Sequence, residues 1–580
     1  MPKSFWNFHL LFLSLGIIFA TLSWNALRKD LAPALRTGLL ALAGIAAYLP
    51  HFMHAPLRPY MNDEFAHYLQ AMNMFDDGKL FQANPIVDQA ANYPCFETMV
   101  VALRHLTHLS TYQSGTLAIA CLHAATVCLI FQIARGVTGT RTAALAALFY
   151  AASPQFSFVD SLLAYESLGL PLTVGAIALA LQASRTTQVA QRGIYLGLCT
   201  FLTVTCIFAH HLSSYVLLFS LAVISIGWLL APARGVTRGN SAPLIAMTAI
   251  ASVFAVAWVQ IRHAGTFKYL TIYLQNGWTT ITDHLPGHHP KVQEFNGYVA
   301  VGATRKPLGT ANNPIYEVLL TYAFVPASVV LFVIAVLSLR RRWSAHTVLL
   351  LTLATMYFLS LPLLFSQSGQ SAAHRSWAFT YVGLVVVWAI GAAAVAKKVS
   401  QWRMPALGSA GTLRAVGAAT VVAFLIASYG AGINRYELFP GPFLFGSDGR
   451  NVPNELYGLA TWFKTEVPAK SVIASDARTT TLICGEADML RDGKQAAALI
   501  LPPGMPTGHI IKDFRKKIDY VVVDNRLITT PSQQGYYFDK YEAYVPQPLQ
   551  PSSITKLADV GWLTNVKQTE HYTVYKVVKI

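Results

Sequence analysis

The chain has 580 residues, 54% of them hydrophobic and only 12% charged, and that composition excludes an ordinary soluble enzyme of this size. The formal net charge of +16 would suit a nucleic-acid binder, but its distribution excludes that class: residues 1–432 hold 26 Lys and Arg against 12 acids, a net +14, while residues 433–580 hold 17 against 15, a net +2. The excess follows the apolar segments, so it is mainly a topology signal, with some cation left in loops for anionic lipid head groups.

Runs apolar enough to cross a hydrocarbon core of about 30 Å fall near 8–25, 37–54, 112–134, 142–158, 166–184, 193–209, 211–230, 241–260, 314–339, 346–365, 377–396 and 413–430. The expectation is about 12 transmembrane helices. The first follows a short basic start, MPK, and lacks a small-residue cleavage site leading into a soluble chain, so it reads as a retained helix. Alternate loops are basic, with Arg28, Lys29 and Arg36, then Arg135 and Arg141, Arg185 and Arg192, Arg234 and Arg238, Arg340 to Arg342, and Lys397, Lys398, Arg403 and Arg414. Short cytoplasmic loops collect such residues. The other set, 55–110, 261–313, 366–376 and the tail after residue 432, is therefore expected to face outward. Cys121, Cys128, Cys199 and Cys206 lie in predicted spans and form no disulfide framework; Cys95 and Cys484 are outward, and the sequence leaves their pairing open.

The stretch from Arg58 to Ser110 is an acid-rich island after the second span. Asp63 and Glu64 stand side by side there, with Asp76, Asp77, Asp88 and Glu97 in the same loop. Two carboxylates held at a bilayer surface suit general-base work; the competing reading makes them first-turn acids of a soluble helix. Farther on, Tyr93-Pro94 opens a helix with Pro near its first turn. Phe96, Met99, Val100, Leu103 and Leu106 recur at steps of three and four, while Glu97, Arg104, His105 and His108 populate another face. This predicts an amphipathic helix lying along the membrane surface. His105 and His108 have metal-like spacing but no clear third ligand, which favours interfacial packing.

An outward loop with a paired acid just after a span, then a YP-initiated amphipathic helix closing with LTHLSTYQSG, resembles the GT-C superfamily of polytopic glycosyltransferases, which includes protein O-mannosyltransferases, lipid A aminoarabinose transferases and arabinofuranosyltransferases. The resemblance runs from about residue 37 to 396. It implies a mainly α polytopic membrane protein that takes sugar from a lipid-linked donor. In the oligosaccharyltransferase branch, acids of the second external loop hold a divalent metal with a first-loop Asp. Asp160 and Glu166 occupy that loop here, but their spacing is wider than the family pattern, and acids ending spans account for them without a metal. GT-C relatives also use an Arg at the outer end of a late span for donor phosphate, which points to Arg375.

Arg375, beside His374 at a span entrance, is expensive there unless it meets an anion or snorkels. His210 and His211 mark a turn between spans and suit either phosphate or sugar-hydroxyl contacts, or plain turn packing. The loop 261–313 is basic and irregular, with Lys268 among its cations, and reads as a lid or a solvated loop. The tail 433–580 reads as a small soluble α/β domain, with a helix at NELYGLATWFKTEV and strands at SVIASD, YVVVDNRL and HYTVYKVVKI. Neither GxxxxGK nor GxGxxG occurs in the chain.

The expected domains are thus a transmembrane GT-C-like catalytic domain, 1–432, and an extracytoplasmic α/β domain, 433–580. The expected function is an inverting glycosyltransferase of the cell membrane that moves a sugar from a polyprenyl-phosphate donor to a hydroxyl of a glycan, lipid or protein, with no nucleic-acid partner. No cofactor is expected, a divalent metal being the one considered. Asp63 is the expected base and Glu64 its helper; Arg375, His374, Lys268, Glu97, Tyr93, His210 and His211 are the expected substrate contacts. A flippase of an anionic lipid or polysaccharide and a glycan polymerase are the rival readings.

Overall fold

In a computed structural model of the chain, residues 3–230, 238–262, 315–340, 343–365, 367–401, 410–432, 442–446, 449–506, 508–532, 537–538 and 547–580 are described, with Thr271 and strand residues 294–295 and 298–299. Most of the 261–313 loop, Lys268 included, lies outside them. Contacts divide the chain into two compact units: one comprises Met1–Pro56, Asn92–Thr282 and Asn312–Ile433, the other Leu57–Ala91, Asp283–Ala311 and Asn434–Ile580.

The first unit is a helical bundle. Its helices are α1 (Lys3–Ala26), α2 (Pro33–His54), α4 (Cys95–Thr107), α5 (Thr111–Arg135), α6 (Thr140–Ala151), α7 (Glu166–Ala183), α8 (Val189–Ala209), α9 (His211–Leu230), α10 (Ala242–Ile261), α11 (Ile315–Leu339), α12 (Ala345–Ser360), α13 (Gln367–Gln401) and α14 (Ala410–Gly432). Among the described residues ten helices are long and apolar enough to cross a membrane, and a shorter apolar stretch, Arg414–Gly430, lies in α14. The expected span at 142–158 is different. α6 stops at Ala151 after 12 residues, about 18 Å of helix at 1.5 Å per residue. Ser153-Pro154 ends it, because the residue before proline resists helical geometry. The chain then makes a π-helical turn, Gln155–Val159, and short turns that lead to Glu166.

Burial is uneven across the bundle, and this decides where polar groups matter. In α7, 83% of the residues in its span are buried, and 78% in Ala373–Lys398 of α13, against 17% in α11. Close helix approach relies on small residues: a Cβ on Gly44 of α2 would meet the His123 carbonyl of α5 at 2.5 Å, and one on Gly383 of α13 the Leu350 carbonyl of α12 at 2.4 Å. The arginines of the basic loops also close helix ends. Arg36 donates to the carbonyls of Ala26 (3.0 Å) and Arg28 (2.6 Å), Arg141 to that of Leu27 (3.0 Å) and Arg185 to that of Gly136 (2.6 Å). Carbonyls left over at helix C-termini are satisfied this way.

The amphipathic α4 is present, with its N-cap at Pro94 and a left-handed C-cap at His108. Its faces differ from the sequence reading. Glu97 is buried with Phe96 and Val100, whereas Leu106 is 79% exposed.

The second unit is built on a five-stranded mixed sheet of order β4-β3-β5-β7-β6, with β3 (Val472–Ala474), β4 (Leu490–Arg491), β5 (Tyr520–Asp524), β6 (Leu563–Gln568) and β7 (Tyr572–Val577); a short antiparallel pair, β1 (Glu294–Phe295) and β2 (Tyr298–Val299), stands apart. β3 runs parallel to both β4 and β5, and β7 pairs antiparallel with β5 at Val522↔Val574. All five residues of β5 are buried, as in a strand covered on both faces. Helices α15 (Asn454–Glu466), α16 (Ala477–Ala487), α17 (Gly493–Ile500) and α18 (Gly508–Lys517) flank the sheet. The strands and the helix expected from the tail sequence appear where their patterns put them. Cys484 is buried in this unit's core, and all six cysteines are free thiols.

One helix of this core comes from the front of the chain. α3 (Asn62–Asp77) contributes Phe65, Ala66 and Leu69 to a single cluster with Leu456, Ala460, Phe463, Leu482, Ile483, Val522 and Val574. Gly485 of α16 lets it approach, since a Cβ there would lie 2.8 Å from Phe65 Cβ. Gly485→Val is therefore expected to lower the unfolding midpoint of this unit, at a cost of about 1–3 kcal/mol for overpacking. Gly458→Ala in α15, where a Cβ meets nothing within 4 Å, is expected to be neutral or stabilising by about 0.5–1 kcal/mol. Thermal or denaturant melts of the purified protein check both.

Candidate functional site

In the helical unit, four segments bring polar side chains together. α8 ends at Ala209, His210 takes an extended conformation, and α9 begins at His211, so the break presents two adjacent imidazoles. Both are buried. Nδ1 of His210 is 2.8 Å from Ser213 Oγ, and its ring stacks on Tyr165 at 4.5 Å. The His211 ring lies 5.2 Å from that of Tyr93 at the entrance to α4. Tyr93 is in turn edge-on to Tyr165 at 6.3 Å. These are packed aromatic contacts rather than a solvated turn.

Glu166 opens α7 and Arg375 lies in the third turn of α13. Their side chains meet: Arg375 Nη1 is 3.1 Å from Glu166 Oε1, and His210 Nε2 is 3.9 Å from the same oxygen. The arginine side chain keeps 31% of its exposure and the glutamate 11%, so the pair is recessed with its cationic side partly open. His374, half-buried, stands 5.0 Å from the ring of Trp377. The sequence reading treated Arg375 as an entrance cation and Glu166 as a span-ending acid; it missed their pairing. The usable signal was that both polar residues interrupt apolar segments at the start of a span, where charges must find partners.

Asp160 follows the π-helical turn. Its backbone N–H donates to the Gln155 carbonyl at 3.0 Å, and its own carbonyl accepts from Ser167 Oγ at 2.7 Å. The carboxyl is buried, with Oδ2 lacking a hydrogen-bond partner. Burial, then the neighbouring Glu166, push its pKa well above the usual carboxylate range. Both amide atoms of Gln155 are likewise buried without a hydrogen bond. Single-turn π-helices recur at functional sites.

The acid pair lies in the other unit. Asp63 and Glu64 are both in the first turn of α3, as the competing reading had it. Glu64 is fully buried, and its Oε2 accepts from the backbone N–H of Tyr60 (3.0 Å) and Met61 (3.1 Å). Its carboxylate closes a capping box. Asp63, one residue earlier, is partly exposed.

No family model matches the chain, and no curated protein does. Solved structures do. The apo oligosaccharyltransferase of Archaeoglobus fulgidus is similar at a TM-score of 0.56 with 13% identity over 85% of this chain and 69% of that one. The same protein with Zn and sulfate gives 0.54, 13%, 85% and 68%. ArnT from Cupriavidus metallidurans bound to undecaprenyl phosphate gives 0.52 and 13%, over 93% of this chain and 98% of that one. The fold is the GT-C fold. At this level of identity the likeness carries the architecture, a polytopic helical bundle joined to a soluble domain, and leaves residue roles to the geometry.

In the helical unit the acids with the chemistry to hold a divalent ion are Asp160 and Glu166. Glu166 turns Oε1 to the Arg375 guanidinium, while Oε2 is buried and takes no part in that ion pair. Among the described residues, the grouping of ligand-type side chains within 4.8 Å of one another is Glu455, Glu570 and His571, in the second unit. There Glu455 accepts from the His571 backbone N–H and from Nδ1, both at 2.8 Å, tying the β6–β7 turn to the start of α15.

The Glu166–Arg375 contact is expected to be coupled. Arg375→Ala leaves a recessed carboxylate without its main cation, and Glu166→Gln removes the charge that cation answers. A double-mutant cycle on thermal stability should return an interaction of about 1–2 kcal/mol, below the range of a fully buried pair because Arg375 is partly open.

Proposed function

We infer that the protein is a membrane glycosyltransferase that moves a sugar, with inversion, from a polyprenyl-phosphate donor to a hydroxyl on a glycan, lipid or protein. The observation that carries this reading is the half-open Arg375 guanidinium, held by Glu166 beside His210 at the start of a deeply buried helix, within a fold whose relative ArnT was solved with undecaprenyl phosphate. Glu166 meets one side of the guanidinium while the arginine side chain keeps 31% of its exposure, and an arginine fork is well suited to a phosphate on its open side. The alternation of basic loops in the sequence supports reading residues 55–110, 261–313, 366–376 and the tail after residue 432 as outward. The absence of nucleotide motifs from the sequence agrees with a donor carried by lipid.

In this mechanism Asp63 accepts the proton of the acceptor hydroxyl as its oxygen attacks the anomeric carbon. The bond from that carbon to the phosphate oxygen breaks, and its electron pair leaves with the polyprenyl phosphate. Arg375, joined by His374 and by Lys268 of the 261–313 loop, stabilises the charge that collects there; a phosphate leaving group needs no proton. Tyr93, Glu97, His210 and His211 supply the polar contacts that orient the sugar. Glu166 keeps the guanidinium fork aimed, and Glu64 keeps the first turn of α3 in shape so that its neighbour stays presented.

Purified protein given a synthetic polyprenyl-phosphate sugar is expected to release polyprenyl phosphate and glycosylate an acceptor. Asp63→Asn keeps the size and one acceptor oxygen but cannot take a proton, so transfer should fall by about two to four orders of magnitude with donor binding retained. Donor movement across liposomes with no transfer would favour the flippase instead. Arg375→Lys keeps charge but loses the planar fork; donor binding measured by titration calorimetry should weaken by about 1.5–3 kcal/mol. Unchanged binding in Arg375→Ala would remove the phosphate assignment.

A further inference from the structure

The turn that leads into Asp63 is shaped by side chains of the α/β domain, nearly four hundred residues away in sequence. Residues 57–61 have no regular structure, and four contacts hold them and the first residue of α3. The Arg58 guanidinium sits 3.6 Å above the Tyr457 ring and also donates to Asn454 Oδ1. The Tyr457 hydroxyl donates to the Pro59 carbonyl. Arg478, on α16, donates from Nη1 to Asn62 Oδ1 at 3.2 Å. Asn62 is the first residue of α3 and Asp63 the second.

Arg478 is the informative member. It is only 9% exposed, and a guanidinium so buried is costly unless its donors are used. Packing alone does not ask for it: the neighbouring α3–α16 contact is made by Phe65 against Gly485, and an apolar side chain at 478 would extend it without the desolvation cost. What the guanidinium adds is a directed, charge-assisted bond to the residue immediately before Asp63.

We propose that Arg478 is a positioning residue for Asp63: through Asn62 it fixes the first turn of α3, and with it the direction in which the Asp63 carboxylate is presented to the acceptor hydroxyl. This rests on the reading of Asp63 as the base. The α/β domain then takes part in the reaction by aligning the base, in addition to any role in choosing the acceptor.

The test compares Arg478→Ala, Arg478→Lys and Asn62→Ala in the wild-type and Asp63→Asn backgrounds, with kcat, donor KM and melting midpoint measured on the full-length protein. Misplacing a catalytic group by about 1 Å costs on the order of a hundredfold, so Arg478→Ala should lower kcat by about 10- to 100-fold with donor KM unchanged. Arg478→Lys should recover part of that loss, and Asn62→Asp, which keeps an acceptor oxygen, should retain most of the rate that Asn62→Ala loses. In the Asp63→Asn background Arg478→Ala should cost nothing more. If Arg478→Ala fails to fold, the two Asn62 variants carry the comparison. Normal kcat in Arg478→Ala and Asn62→Ala while Asp63→Asn is inactive would overturn the positioning role alone, as would an equal further loss in the Asp63→Asn background. Full activity of Asp63→Asn would instead overturn the base assignment on which the proposal rests.

Discussion

A charge placed among apolar helices has to be answered locally, and the Arg375–Glu166 pair at 3.1 Å is where this constraint shapes the helical unit. α7 and α13 are far more buried than α11, so neither can turn a polar residue toward lipid. Glu166 at the start of α7 and Arg375 in the third turn of α13 answer each other instead. Once that pair is fixed, the rest of the cluster follows: His210 comes within 3.9 Å of the same carboxylate, Tyr165 stacks on His210, and Tyr93 packs beside His211. The break between α8 and α9 at His210 lets consecutive histidines enter this cluster, which an unbroken helix would point about 100° apart. Glu97 shows how far a helical wheel can mislead: it belongs to the polar face there, yet it is fully buried while the apolar Leu106 is exposed.

A second constraint governs the acid pair. α3 is too short and too polar to be stable alone, and it acquires its stability from tail residues that share its core. An extramembrane loop that supplies a helix to another part of the chain cannot be repositioned without cost to that core. Rigid presentation of this kind is what a general base needs, because proton transfer tolerates little error in distance or direction. Glu64 then has a different character from its neighbour. Its oxygen is committed to two backbone N–H groups, so adjacency in sequence does not make the two carboxylates chemical equivalents.

The sequence made some of this legible and concealed the rest for physical reasons. Long apolar runs and basic loops are written residue by residue, which is why the bundle and its spans could be read directly; the span at 142–158 failed because one dipeptide, Ser153-Pro154, turned an apolar run into a 12-residue helix and a π turn. The tail strands were visible because β5, YVVVD, is buried on both faces and so has an uninterrupted apolar pattern. β4, two residues long, has no pattern to show. What periodicity cannot reveal is which distant residues meet. Glu166 and Arg375 are 209 positions apart, and Asn62 and Arg478 are 416 apart. Arg375 stood out as costly at a span entrance, which marked it as needing a partner without naming that partner, whereas nothing in the sequence marked Asn62 or Arg478.

These two arrangements also bear on how charge would be handled in the proposed reaction. Glu166 is bonded to Arg375, so the guanidinium does not face a lipid phosphate as an isolated cation; it carries a counter-charge that orients it and reduces its net field. A fully buried, unpaired arginine would bind phosphate more strongly but would be expensive before the donor arrived. With Glu166 in place the guanidinium has a counter-charge before any donor arrives, and in the proposed reaction donor binding would exchange part of one ion pair for another. Such a site favours leaving-group charge over ground-state charge to the extent that the developing phosphate dianion draws the guanidinium away from the carboxylate. That difference between bound donor and transition state, rather than affinity for the lipid phosphate itself, is what would accelerate transfer.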